Sequence, residues 1–388
     1  MRRKVVRTAR IVQLRNTRQR YGVPKITVSR QAWYRCVGAA ILAVSAAACG
    51  SASREAKPSG PAWERENPIK PAAPAPLGME VFFEDVKPPS PASVRLGRWL
   101  FYDTRLSADN TLACASCHKP EYAFSERTPV STGIKGQKGT RKAPTFINKA
   151  VTLAPHFFWD GRAHSLEDQV LGPIANPIEM GNTHEAMIDT LSRVQGYKPY
   201  FTEAFGSDAV TKERVAQAIA DYERTRVSGN SPYDRWRFNH EQNAVTAAAK
   251  RGHDLFFDTA GCASCHTGSS FSDSLFHNLG VGWDPQKKTF TDEGRFAVTK
   301  KPEDRGAFKT PVLRDVSKHP PYMHDGSIAT LREVVELYNK GGIANPYLTR
   351  GRIKPLGLKD ADVDAIVSFL ESLDGQGYQD IPPKTFPQ

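Results

Sequence analysis

The chain has 388 residues, 53 Lys and Arg against 41 Asp and Glu, and a formal charge of +12. Eleven of the cations and no acid fall in residues 1–49, so the remainder is close to neutral and no nucleic-acid partner is expected. The length suits two or three domains, each large enough to bury a core.

The basic start runs to Arg35 and is followed by an apolar stretch, Cys36 to Ala48. This pattern predicts an export signal over 1–49, and the apolar stretch is too short to favour a spanning helix. Cys49-Gly50-Ser51 after small residues resembles a lipoprotein processing site, with Cys49 acylated and membrane contact only through that lipid. Ala46 and Ala48 also fit ordinary signal cleavage. Residues 50–77, rich in Pro and Ala, predict an extended tether.

Helical patterns dominate the rest of the chain. Val94, Leu96 and Leu100 open a helix, and Ser165 caps another with Glu167 and Asp168 in its first turn. Met187, Leu191 and Val194 follow a cap at Thr183, and Gly196 is expected to end that run. Val215, Ile219 and Tyr222 repeat the spacing after Thr211, and Thr246 starts a further helix. Thr330 to Glu333 forms a capping box, with Gly341-Gly342 as the stop. Val363, Ile366, Val367 and Leu370 form a last apolar face. No alternating strand exceeds a few residues.

Cys-Ala-Ser-Cys-His occurs twice, at Cys114–His118 and Cys262–His266. Each reads as a c-type haem attachment site, where Cys114 and Cys117, or Cys262 and Cys265, bond the porphyrin edge. His118 and His266 would then be the proximal iron ligands. A zinc site would need such pairs brought close together, and a thioredoxin-like pair needs no histidine after it. Two covalent haems are expected, attached outside the cytoplasm, which agrees with an exported, periplasmic chain. Four of the six cysteines are then used, leaving no disulfide framework. The expected fold is mainly α, two cytochrome c-like haem domains with long loops, over 78–240 and 241–388.

The chain resembles the bacterial dihaem cytochrome c peroxidases and their MauG relatives from about Leu96 to Leu373. The resemblance rests on Leu96-Gly97-Arg98-Trp99-Leu100-Phe101, both haem motifs, Phe158-Trp159-Asp160-Gly161-Arg162, Gly172-Pro173-Ile174, Ile178-Glu179-Met180, Gly294 to Thr299, and Phe308 to Arg314. It implies a peroxide-reacting haem in the N-terminal domain and an electron-transfer haem in the C-terminal one. Trp159 matches the residue between the haems. Glu179 matches a distal carboxylate that relays a proton between the peroxide oxygens, and Gln169 matches a distal amide.

The chain departs from the family pattern in three places. The loop histidine that caps the N-terminal haem in activation-dependent members would precede Gly139-Thr140-Arg141-Lys142-Ala143-Pro144, and its place falls at Ile134. Ile134 cannot bind iron, so an open sixth position is expected. The second haem commonly takes a methionine; here the equivalent position is Tyr338, as in MauG-like enzymes, with Met323 or His324 as the other candidates. A tyrosinate should lower the potential, where methionine raises it. The family's calcium position carries Lys142, with His319 beside it, so calcium is not predicted. His156, His164, His184, His240, His253 and His277 are expected to be surface or structural.

The expected function is reduction of hydrogen peroxide to water through a high-valent dihaem intermediate, with electrons from a small donor protein, a cytochrome or cupredoxin. The alternatives are a MauG-like oxidase of a partner protein's aromatic residues and a non-enzymatic dihaem electron carrier.

Overall fold

The computed structural model describes residues 61–68, 76–79, 89–149, 156–349 and 351–388. The expected signal, Cys49 and most of the Pro/Ala-rich stretch lie outside the described residues. Where that stretch is described it is docked. A short helix, α1 (Ala62–Glu66), places Trp63 so that its Nε1 donates to the Tyr200 hydroxyl at 3.1 Å. Asn67 Nδ2 then donates to Thr385 Oγ1 at 3.0 Å. The anchoring partners lie far along the chain, so local composition gives no sign of them.

The fold is mainly α. In the first half α2 (Pro91–Tyr102) starts at Ser90, whose hydroxyl accepts the Ser93 N–H, with proline at the first position. The first haem motif forms a single turn, α3 (Cys114–Cys117). Next come α4 (Leu166–Ala175), capped by Ser165, and α5 (His184–Arg193), capped by Thr183. The run after Thr183 ends at Arg193, ahead of Gly196 as expected, and a 3₁₀ turn over Gln195–Tyr197 then leads into a new helix, α6 (Lys198–Phe205). Gly196 also permits a close approach, since its N–H donates to the Gln388 carbonyl at 2.6 Å and a β-carbon there would meet the Gln388 backbone. The half closes with α7 (Lys212–Arg224), capped by Thr211.

The second half contains α8 (Pro232–Phe238), α9 (Ala247–Phe257), β1 (Phe276–Asn278), β2 (Trp283–Asp284), β3 (Thr289–Phe290), α10 (Phe296–Thr299), β4 (Ala307–Lys309), α11 (Leu331–Asn339) and α12 (Asp360–Glu371). The strands make two antiparallel pairs, β1 with β4 (Phe276 opposite Lys309) and β2 with β3 (Trp283 opposite Phe290). In α11 the capping box forms: Thr330 Oγ1 accepts the Glu333 N–H, and Glu333 Oε2 accepts the Thr330 N–H.

Two apolar cores result. One gathers Leu96, Trp99, Phe101, Phe124, Ile219 and Tyr222; the other gathers Phe256, Phe271, Val335, Ile366, Phe369 and Leu373. Both are built around the same crossing. In α2 a β-carbon on Gly97 would run into the Ala218 carbonyl and Tyr222 Cβ of α7. In α9 a β-carbon on Gly252 would run into the Ala365 carbonyl and Phe369 Cβ of α12. A glycine inside a helix costs about 1 kcal/mol relative to alanine; here it lets two helix backbones touch. Gly97→Ala and Gly252→Ala should therefore each destabilise the haem-loaded protein by about 1–3 kcal/mol through overpacking. Denaturant titration checks this, and a gain in stability would show that the crossings can relax.

Chain order and core membership diverge at the junction. Tyr233 of α8 packs in the second core, while the last residues return to the first. Tyr378 joins that core, Phe386 packs edge-on against Trp99, and Asp380 accepts from Arg98 Nε and the Tyr222 hydroxyl, each at 2.8 Å.

Candidate functional site

A cavity of about 690 Å³ is lined by both Cys-x-x-Cys-His motifs, together with Trp159, Gln169, Glu179 and Tyr338. The turn of α3 sets Cys114 and Cys117 on one side and ends on His118, whose N–H bonds the Cys114 carbonyl at 3.0 Å. In the second motif the His266 N–H bonds the Cys262 carbonyl at 2.9 Å. The two imidazoles are oriented alike. His118 Nδ1 lies 3.0 Å from the Phe124 carbonyl, and His266 Nδ1 lies 2.9 Å from the Phe271 carbonyl. A carbonyl can only accept, so Nδ1 carries the proton and Nε2 keeps its lone pair for a metal. Burial lowers both histidine pKa values, which favours that neutral form. Paired thiols beside a neutral, pre-oriented imidazole at an apolar cavity fit one haem c in each half.

Glu179 lies in the loop after α4. Its Oε1 accepts from Asn176 Nδ2 at 2.9 Å, and its carbonyl accepts the Ile134 N–H at 2.7 Å. Burial pushes its pKa above the ordinary value, against the opposing effects of the Arg162 charge and the Asn176 hydrogen bond. Gln169, on α4, lines the same cavity. Arg162 stacks its guanidinium 3.5 Å above the Phe158 ring and pairs with Asp160. Ile134 is buried with its side chain against Gly181.

Trp159 is fixed from both halves. Its Nε1 donates to the Lys142 carbonyl at 2.9 Å, and its own carbonyl accepts the Lys309 N–H at 2.8 Å. The next residue, Asp160, is buried and paired with Arg141, which also forks onto Asp292 through bonds of 2.6 and 2.8 Å. Lys142 is buried, and its ammonium is held by the carbonyls of Glu126 and Thr128. Burial and that nearby charge push His319 down to about 4, so it stays neutral.

Three side chains were candidates for the second haem's other ligand, and all three line the cavity. Tyr338 feels the Cys262 and Cys265 thiols directly; burial first, and those thiols next, raise its pKa. His324 instead stacks on Phe308 at 3.6 Å, and its charged neighbours are Asp325, Asp292 and Arg141. Met323 sits at φ +73° in the turn before it. Cys265, Asp273 and His277 also lie within reach of one cation. A thioether at Cys265 would remove the anionic donor of that group.

A family model described as di-haem cytochrome c peroxidase matches residues 91–243, and one for cytochrome c matches 249–374. The chain is 38% identical over 308 residues to the methylamine utilization protein MauG of Methylophilus methylotrophus, covering 78% of this chain and 86% of that one. It is 37% identical to the cytochrome c551 peroxidase of Nitrosomonas europaea, covering 75% and 82%. A crystal structure of a MauG-like protein associated with microbial copper homeostasis superposes with a TM-score of 0.70 at 31% identity, covering 82% and 98%. The chain belongs to the di-haem cytochrome c peroxidase family. Its subgroup character is MauG-like, and it is a peroxidase carrying two covalently bound haem c groups.

Within this di-haem peroxidase the sequence reading missed several cavity residues. Asn176 orients Glu179 from only three positions away, and the Asn-Pro-Ile-Glu spacing could have suggested that contact. The Arg141 fork onto Asp160 and Asp292, and the cavity lysines Lys149 and Lys309, join segments remote in sequence and left no local signal.

Proposed function

We propose that hydrogen peroxide is reduced to water in the part of the cavity beside His118 and Glu179. Electrons would enter through the C-terminal half from a small cytochrome or cupredoxin in the periplasm. One observation carries this reading: a half-buried carboxyl with a raised pKa, that of Glu179, lines the cavity of the N-terminal motif, while Ile134, at the place of the loop histidine, packs against Gly181.

When bound, the haems supply the iron that exchanges electrons with peroxide and with the donor. Cys114, Cys117, Cys262 and Cys265 would hold them covalently, and His118, His266 and Tyr338 would supply protein ligands to the iron. Glu179 takes the proton from the near peroxide oxygen and delivers it to the departing one. Asn176 donates to Oε1 and would leave Oε2 for the substrate. Gln169 adds a donor and an acceptor to the same chamber. Trp159, held by one bond to each half, forms the bridge between the two sites. Acylation of Cys49 would keep the enzyme at a membrane, and mass spectrometry of the mature N-terminus decides that point.

Resting-state EPR of the purified protein tests the reading. A high-spin ferric signal from the N-terminal haem, alongside one low-spin signal, is expected. Two low-spin haems would overturn it and point to a side chain such as Met180, which also lines the cavity. Steady-state assays with a reduced cytochrome should show ready turnover. Poor cytochrome oxidation would favour a partner protein's aromatic residues as the electron source.

A further inference from the structure

Peroxide chemistry and haem attachment leave one charged cluster in the cavity unused. Lys309, at the end of β4, is buried, and Lys149 lies beyond Asn148; both line the cavity. Their amino groups lie within hydrogen-bond reach, an arrangement that requires one of the two to be neutral, and neither forms an ion pair with a described carboxylate. Burial lowers both ammonium pKa values, and the partner's charge lowers that of Lys309 further. The opposite charge in the neighbourhood is Glu223 of α7, also at the cavity wall. Its Oε2 has no hydrogen-bond partner, and burial pushes its pKa up to about 8. Glu223 interacts with Lys149 and not with Lys309, and it is largely protonated at neutral pH, so neither lysine has a carboxylate of its own.

The first half shows how such a lysine is normally satisfied. Lys142-Ala143-Pro144 and Lys309-Thr310-Pro311 occupy equivalent places, since the proline carbonyls of both face the respective motif histidines. Lys142 is held by the carbonyls of Glu126 and Thr128. Lys309 has only another lysine. A buried cation without a counter-charge costs several kcal/mol unless it loses its proton or an anion completes the site.

We propose that Lys149 and Lys309 together bind one haem propionate, the carboxylate that the cluster lacks. With the propionate present both lysines can carry a proton and share its negative charge, while Glu223 stays largely protonated. Because the Lys309 N–H bonds the Trp159 carbonyl, the clamp sits where the two halves meet. Two cations there stabilise the more negative, reduced haem and keep its propionate ionised. The inference rests on the two haems of the family and not on the roles of Glu179 or Tyr338.

Potentiometric titration of the haem-loaded enzyme tests it, with haem content checked by pyridine haemochrome. Lys149→Met and Lys309→Met should each lower the midpoint potential of one haem by about 59 mV or more, a tenfold change in its reduced-to-oxidised ratio. Each should also introduce a pH dependence at about pH 6–8, because losing a neighbouring cation raises the propionate pKa. Lys309→Arg should restore both properties. Fully loaded methionine variants with unchanged potentials would overturn the proposal. Should a methionine variant not acquire its haems, the glutamine variant is titrated in its place. Loss of haem from both, with the arginine variant loading normally, supports a requirement for charge at the site. Peroxide turnover is a separate readout: a Glu179 variant without effect would leave these potentials untouched.

Discussion

Glu179→Gln should lower kcat for peroxide by about 10²–10⁴-fold while both haems, their resting EPR and the fold stay as in the wild type. Glutamine keeps the shape and the Asn176 contact region but cannot take up a proton. The pH profile gives a sharper reading. Accepting the first proton from peroxide requires the ionised carboxylate. Burial holds the Glu179 pKa above the ordinary value, so activity should fall as pH drops through a value higher than that of an exposed glutamate. That acid limb should vanish in Glu179→Gln. Asn176→Ala removes a bond that favours the charged form, so its limb should move to higher pH. Unchanged turnover in Glu179→Gln would remove this residue from proton transfer.

The largest stability effect is expected at Arg314 and Asp234. Both side chains are almost wholly buried, and they pair through two bonds of 2.7 and 2.9 Å. Arg314 also donates to the Ser269 carbonyl at 2.6 Å and the Gly78 carbonyl at 3.2 Å. Asp234 accepts from the Ser231 N–H and hydroxyl and so completes the cap of α8. Arg314→Met leaves a carboxylate buried without its cation, and Asp234→Ala leaves a guanidinium likewise. Each should cost about 3–5 kcal/mol. The double variant should cost less than the two added together, because no charge is stranded. Chemical denaturation of the haem-loaded proteins measures all three. Additive losses would mean that the pair acts through separate contacts. Gly78 reinforces the tie: its φ is +82°, and a β-carbon there would collide with the Asp234 carboxylate. Gly78→Ala should therefore weaken the same pair.

The legibility of each feature in the sequence depends on the range over which its signal acts. Helix starts were readable because a cap and its N–H lie three residues apart: Ser165 with Asp168, Thr183 with Ala186, Thr211 with Arg214 and Thr330 with Glu333 all make the expected bonds. Helix α6 was not, because its N-cap position, Tyr197, has no side-chain cap to announce it, and the approach of Gln388 to Gly196 is a contact from the far end of the chain. Trp63 reads as a stray aromatic in a proline-rich stretch, and only Tyr200 gives it a place.

The sequence by itself determined the cofactor chemistry, since two thiols and an imidazole at fixed spacing are a local covalent requirement. It also indicated the helical class, while the carboxyl, tryptophan and tyrosine candidates came from its resemblance to the family. Tertiary structure alone decided that these residues line one cavity and that Asn176 holds Glu179. It also decided that Trp159 is gripped by Lys142 and Lys309, and that Lys149, beside Glu223, faces Lys309. Those relations depend on which distant segments bury one another. Burial also sets the raised pKa of Glu179 and the shortage of negative charge around the lysines, and no short-range pattern records it.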